Sequence, residues 1–336
     1  MKYIYVCILL ILFGSLFLNE AISQETKAPA AKSKMQRQKQ SGDQDAKAKQ
    51  QDLAAATDLS KIKVPAGVKL IPDLIYREGN PMWKVDLAMP EAKSNAPRPG
   101  IVFIHGGGWQ FGDKRTGYFL NGALEYAKQG YVCISVNYRL IGEAPFPACL
   151  QDVRNAVRWF RANANEYNLD PNRIGGYGNS AGAHLVALLA LMDGKFDPDI
   201  DGEATYKEYS SALQAACTSA TPTDFARPLS GGGAEFALLT GPAESLDARV
   251  KAASPVTYVR ADAPPYLLIH GSKDTIVDIK QAYSLNDALV KAGAQNIILM
   301  IIQDQGHGVF QNKSIITHAA MEAFFADALG VASDNE

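Results

Sequence analysis

The stretch Gly178-Asn179-Ser180-Ala181-Gly182 constrains this chain more than any other. Arg173-Ile174-Gly175-Gly176-Tyr177 leads into it as a short strand, and Ala183-His184-Leu185-Val186-Ala187-Leu188-Leu189-Ala190-Leu191 leaves it as an unbroken helical run. Two glycines around a serine permit a sharp strand-to-helix turn. Such a turn lifts the hydroxyl off the end of a sheet and aims the next amide at the same space. The new helix N-terminus adds positive potential where an oxyanion would form. The bland alternative is a glycine-rich turn without chemistry, so the rest of the chain has to decide.

From about Val64 onward, strands alternate with helices. Leu70 to Tyr76 and Trp83 to Ala88 read as strands around the turn Gly79-Asn80-Pro81. Ile101-Val102-Phe103-Ile104 and Cys133 to Val136 are continuous apolar runs, as expected of strands covered on both faces. Leu213 to Ser219, Tyr266 to Ile269 and Ile297 to Ile302 are further strands. Tyr118 to Gln129, Leu150 to Ala164, Gln281 to Ala292 and His318 to Leu329 are helices, two of them stopped by Gly130 and Gly293. This alternation implies a mainly parallel sheet with helices on both faces.

Around Ser180 the chain offers a base, an acid and an anion cradle. His105-Gly106-Gly107-Gly108-Trp109 follows the buried strand at Ile104. Its glycines let backbone amides of Gly106 and Gly107 approach a ligand, joined by the amide of Ala181. The run lacks the Lys-Ser/Thr ending of a phosphate loop. Of five histidines, only His307 lies between glycines on a late loop after a strand, free to swing over the serine. His105 abuts the cradle, His184 is pinned to the helix after Ser180, His270 precedes a turn, and His318 lies in the last helix. The acid should lie between serine and histidine in sequence. Asp274 follows the strand Tyr266 to Ile269, at the edge where catalytic side chains collect. Asp278 reads as a solvated or helix-capping acid, and Asp304 sits too near His307 in sequence. The set predicts a Ser180–His307–Asp274 triad with an acyl-enzyme intermediate. Trp109 is a candidate for lining the substrate pocket, with plain packing as the alternative, and Arg139 and Asp152 are expected to pair behind the site.

Composition sets the surroundings. The chain has 336 residues, 47% of them hydrophobic, which suffices for a large core, and its net charge of −2 argues against nucleic acid as a partner. Tyr3 to Leu18 is apolar, and Ala21-Ile22-Ser23 fits a small-x-small cleavage site, so residues 1–23 read as a secretory signal peptide. The run is too short for a spanning anchor. Residues 24–63 read as a polar, disordered linker, residues 64–330 as the catalytic domain and residues 331–336 as a tail. After cleavage Cys133, Cys149 and Cys217 remain. Export permits a Cys149–Cys217 disulfide without any spacing that argues for it. No metal-ligand spacing appears, and no cofactor is expected.

His105 to Trp109, Gly178 to Gly182, the His270-to-Asp274 turn and Gly306-His307-Gly308 together resemble the α/β-hydrolase superfamily. So do Val136 to Leu140, Pro222 to Phe225 and Ala253 to Tyr258. The nearest likeness is to bacterial esterases related to hormone-sensitive lipase and to feruloyl- and acetyl-xylan-esterase-like enzymes. The resemblance covers about Val64 to Leu329. It implies an eight-stranded, mostly parallel sheet with an antiparallel second strand, and metal-independent hydrolysis of carboxylic esters. The helical N-terminal cap common in that branch is replaced here by the polar linker, so little or no cap is expected. Asp199-Ile200-Asp201-Gly202 and Ser230-Gly231-Gly232-Gly233 read as loops of a small cover. The substrate expected is a short-chain or aromatic acyl ester, free or displayed on a plant polysaccharide. Two competing functions are a prolyl-oligopeptidase-type peptidase, which lacks room here for its usual propeller, and an inactive binding module, which the complete triad disfavours.

Overall fold

The computed structural model describes residues 58–227, 229, 238 and 246–330. The expected signal peptide, most of the linker, Ser230 to Gly233 and the tail lie outside them. Eight strands form one sheet in the order β1-β2-β4-β3-β5-β6-β7-β8. They are β1 (Val68–Ile75), β2 (Lys84–Pro90), β3 (Arg98–Ile104), β4 (Val132–Val136), β5 (Leu169–Asn179), β6 (Ala215–Ser219), β7 (Tyr266–Gly271) and β8 (Ile297–Ile302). Only β2 runs antiparallel, against both β1 and β4. The other pairs are parallel, as expected.

The helices are α1 (Phe119–Lys128), α2 (Ala148–Ala162), α3 (Ala181–Leu191), α4 (Pro198–Asp201), α5 (Leu246–Ala253), α6 (Lys280–Ala292), α7 (Val309–Asn312) and α8 (Ser314–Leu329). Strand alternation divides the core between two faces. Val102 and Ile104 pack with Val153, Leu185 and Leu289 of α2, α3 and α6. Ile101 and Phe103 pack with Leu120, Met321 and Phe325 of α1 and α8. Helices therefore cover both faces of a sheet whose strands β3, β4, β6 and β7 are buried along their whole length.

Three expectations change. Regular structure is present before Val64: Asp58 caps a 3-10 turn at Leu59–Lys61, and Ile62 packs on the core. Asp199 to Gly202 is not a loop. Pro198–Asp201 is a helical turn, because buried Asp201 takes Arg154 Nε at 2.6 Å and Arg158 Nη1 at 2.8 Å. Cys149 and Cys217 do not pair; with Cys133 they are buried free thiols. Among the described residues, no helix is long and apolar enough to cross a membrane.

Candidate active site

Parallel pairing brings the ends of β3, β5, β7 and β8 to one edge. Ser180 stands there at φ 54°, ψ −120°, between β5 and α3. That left-handed backbone is strained for a serine, and its neighbours hold it. A Cβ on Gly178 would lie 2.4 Å from the Gly182 carbonyl carbon, and one on Gly182 would lie 2.0 Å from the Ile104 carbonyl oxygen. Backbone packing thus imposes both glycines: Gly178 against the turn itself and Gly182 against the end of β3. The Ser180 amide donates to the Ser219 carbonyl at 2.9 Å, tying the turn to β6.

His307 reaches the serine from the loop between β8 and α7. Its Nε2 is 3.0 Å from Ser180 Oγ, and its Nδ1 is 2.9 Å from Asp274 Oδ2. The other carboxylate oxygen of Asp274 accepts the amides of Ile276 and Val277, each at 2.9 Å. Burial pushes this carboxyl up, but His307 and the two amides outweigh burial and hold it below the usual carboxylate range. The acid is ionised and oriented, the imidazole is aimed, and the hydroxyl is within proton-transfer reach.

The cradle lies opposite. A Cβ on Gly106 would come 2.7 Å from the Asn179 carbonyl oxygen and 3.5 Å from Ser180 Cβ, so the His105–Trp109 loop passes directly over the nucleophile turn. Among the described residues, the amides of Gly106, Gly107 and Ala181 meet no backbone acceptor. They are available to an anion, beside the N-terminus of α3.

The remaining candidates have other work. His184 is buried between Trp109 Nε1, which donates to its Nδ1 at 3.2 Å, and the Ala253 carbonyl, 2.7 Å from its Nε2. Burial pulls its pKa down to about 4. His105 is likewise buried and held at about 4, stacked on Tyr138 at 4.3 Å. His270 contacts the Val277 carbonyl, and His318 packs between Tyr118 and Phe310. Asp278 accepts the Lys280 amide at 2.8 Å, as a helix-start acid does, and Asp304 pairs with Lys273 at 2.7 Å. Arg139 and Asp152 form the expected pair at 2.8 Å.

Trp109 departs from expectation. It is 2% exposed and packs on His184 and Phe225, so it has almost no surface to offer a substrate and acts as a packing side chain. Sequence reading also missed a charge cluster that anchors the cradle loop. Lys114 Nζ lies 2.8 Å from Asp73 and 3.4 Å from Asp86, and Arg115 pairs with both acids at 2.6 Å. The one available signal was Asp86, a lone acid inside the strand Trp83 to Ala88.

The family model described as BD-FAE matches residues 85–289. The chain is 29% identical over 266 residues to esterase LipQ of Mycobacterium tuberculosis, covering 77% of this chain and 62% of that protein. It is 30% identical over 267 residues to the probable carboxylic ester hydrolase LipM of the same organism, covering 76% and 60%. The chain thus spans only 60–62% of the length of these relatives. Among solved structures, a truncated carbohydrate esterase from gut microbiota superposes with a TM-score of 0.68 at 28% identity, covering 77% of this chain and 96% of that one. Propionate-bound esterase 2 of Thermogutta terrifontis gives 0.65 at 25% identity, covering 80% and 97%.

Proposed function

The chain belongs to the BD-FAE family of α/β-hydrolase esterases, and from that premise we infer that it hydrolyses carboxylic esters through Ser180, His307 and Asp274. The observation that carries this reading is the unbroken line from Ser180 Oγ through both nitrogens of His307 to Asp274, at 3.0 and 2.9 Å. Neutral His307 takes the Ser180 proton at Nε2 as Oγ attacks the ester carbonyl. Asp274 holds the Nδ1 proton and stabilises the imidazolium. The amides of Gly106, Gly107 and Ala181 receive the oxyanion, and one such donor is worth about 3 kcal/mol in comparable sites. His307 then protonates the leaving alkoxide. A water, activated by the same nitrogen, releases the acid from the acyl-enzyme.

The substrate we propose is a short-chain or aromatic acyl ester, with a polysaccharide as one carrier of it. The carbohydrate esterase similarity supports the carrier, and the propionate complex supports the short acyl group. We propose further that the chain is exported, with residues 1–23 removed. The support is the apolar stretch Tyr3 to Leu18 followed by Ala21-Ile22-Ser23. N-terminal sequencing of mature protein tests export, and an intact Met1 refutes it. For the activity, the test is kcat/KM on p-nitrophenyl acetate, methyl ferulate and acetylated xylan, with a peptide anilide alongside. Turnover of the anilide but none of the esters would sink the reading.

A further inference from the structure

A second cleft, of about 450 Å³, opens between the end of β1 and the segment after α4. Ile75, Arg77 and Glu78 form one wall, and Glu203, Thr205 and Tyr206 the other. The strand registers locate it. Ile75 is opposite Lys84, Val85 opposite Val136, and Ile104 opposite both Val136 and Gly178. The cleft therefore stands at the same sheet edge as Ser180. It is four strand spacings away, roughly 19 Å at 4.7–4.9 Å each.

Its groups are fixed but unspent. The Thr205 amide donates to Asn155 Oδ1 at 2.9 Å, which ties the outer wall to α2. Tyr76 Oη donates to the Asn137 carbonyl at 2.9 Å, which ties the inner wall to the end of β4. The Arg77 guanidinium lies over the Trp83 ring at 4.1 Å. Tyr206 is 37% exposed and held at φ 52°, a strained backbone for a tyrosine. Glu78 and Glu203 are exposed, and among the described residues neither carboxylate has a partner. The cleft thus presents one aromatic ring, two carboxylates and one guanidinium beside the apolar side chain of Ile75. Sugars match that set. Their C–H faces stack on an aromatic ring, and their hydroxyls donate to carboxylates and accept from guanidinium. The Arg77 charge opposes a metal cation between the acids.

We propose that this cleft is a glycan subsite, holding a saccharide of the polymer whose ester is presented to Ser180 several sugar residues away. The proposal rests on the esterase reading above and specifies the alcohol side of its substrate. Its test uses the wild type and the variants Tyr206→Ala, Glu203→Ala and Glu78→Gln, none of which touches the triad or the cradle. Substrates are p-nitrophenyl acetate and acetylated xylo-oligosaccharides of increasing length. Wild-type kcat/KM should rise with oligosaccharide length until the chain spans both sites. Each variant should abolish that rise, with KM on the long substrates up roughly tenfold for Tyr206→Ala and p-nitrophenyl acetate turnover unchanged. A flat length dependence in the wild type overturns the subsite, as do variants that leave the long-substrate KM intact or slow both substrates equally. Calorimetric titration of an unacylated xylo-oligosaccharide, expected to bind wild type and not Tyr206→Ala, separates the two readings. Binding without any ester turnover would sink the esterase reading and keep the subsite. Turnover without binding would do the reverse.

Discussion

Asp274→Asn probes the reasoning most sharply, because it changes one atom and leaves the shape alone. In the native site one carboxylate oxygen accepts two backbone amides, at 2.9 Å each, and the other accepts His307 Nδ1 at 2.9 Å. Asparagine has a single acceptor oxygen. Keeping it on the two amides turns its NH2 toward Nδ1, where two donors cannot face each other. The reverse orientation leaves two amides facing a donor, at about 1–3 kcal/mol each. Moving the imidazole proton from Nδ1 to Nε2 breaks no hydrogen bond, so the tautomer changes instead. Nε2–H then points at Ser180 Oγ, 3.0 Å away, and the base is gone. In a comparable triad this swap costs about 10⁴ in kcat, or roughly 5.4 kcal/mol of barrier. The assay is kcat on p-nitrophenyl acetate, with circular dichroism and a melting curve to show the variant folded. A folded variant that loses less than about tenfold, or 1.4 kcal/mol, would refute the orienting role given to Asp274.

Ser180→Ala should abolish ester turnover in a folded protein, and a fluorophosphonate probe should label the wild type at Ser180 alone; normal turnover by the variant removes Ser180 as nucleophile. His307→Ala should lose most activity while His184→Ala retains part of it, since His184 is spent between Trp109 and Ala253; equal losses in two folded variants would unseat His307 as the base. Buried His105 and His184 refuse a proton until about pH 4, whereas the unfolded chain accepts it near 6.5. Stability from this source is therefore intact above pH 6.5, falls as pH drops toward 4 and levels off below. Urea midpoints measured across that window should show the decline, and His184→Gln should make it shallower; a flat wild-type profile contradicts the burial argument. The uncapped site expected from the sequence forgoes about 0.8 kcal/mol per methylene, so across p-nitrophenyl esters of two to sixteen carbons kcat/KM should be highest for acetyl or butyryl; a maximum at long chains points to a lipase and against an uncapped site.

The parts of the candidate site are legible because each is written in local sequence. Gly178 and Gly182 leave a fixed spacing that backbone packing demands, and His307 stands alone between glycines on a late loop. Asp274 follows a strand whose apolar run is unmistakable. What was misread depends on partners far away in the chain. Trp109 looked like a pocket residue because nothing near it in sequence shows His184, 75 positions on, waiting to accept its indole proton. Asp199 to Gly202 reads as a loop because the arginines that bury Asp201 come from α2, 43 and 47 positions earlier. Arg154 and Arg158 are fully buried on that helix. The start of regular structure was placed late because Ile62 is a single apolar residue in a polar stretch, and one residue has no periodicity.

Steric exclusion holds both halves of the site, and a charge cluster adds to it on the cradle side. The nucleophile turn is fixed by steric exclusion, with no room for a side chain at Gly178 or Gly182. The cradle loop meets the same exclusion at Gly106, Gly107 and Gly112, and at its far end it is held by charge as well. Asp86 sits on β2 with no solvent exposure, between Lys114 and Arg115. The Lys114 amide donates to Asn137 Oδ1 at 2.6 Å, and Ser135 Oγ donates to the Lys114 carbonyl at 2.6 Å. These bonds fasten the loop to the ends of β2 and β4. Removing one partner of such a buried pair typically costs 3–5 kcal/mol, because the other charge is stranded. An oxyanion donor contributes to catalysis only if it waits in place before the charge develops. β2 runs antiparallel, so its first residues lie at the catalytic edge, within reach of that loop. A parallel β2 would carry Asp86 to the opposite edge, where it could hold nothing. The reversed strand thus places the buried acid where the cradle needs it.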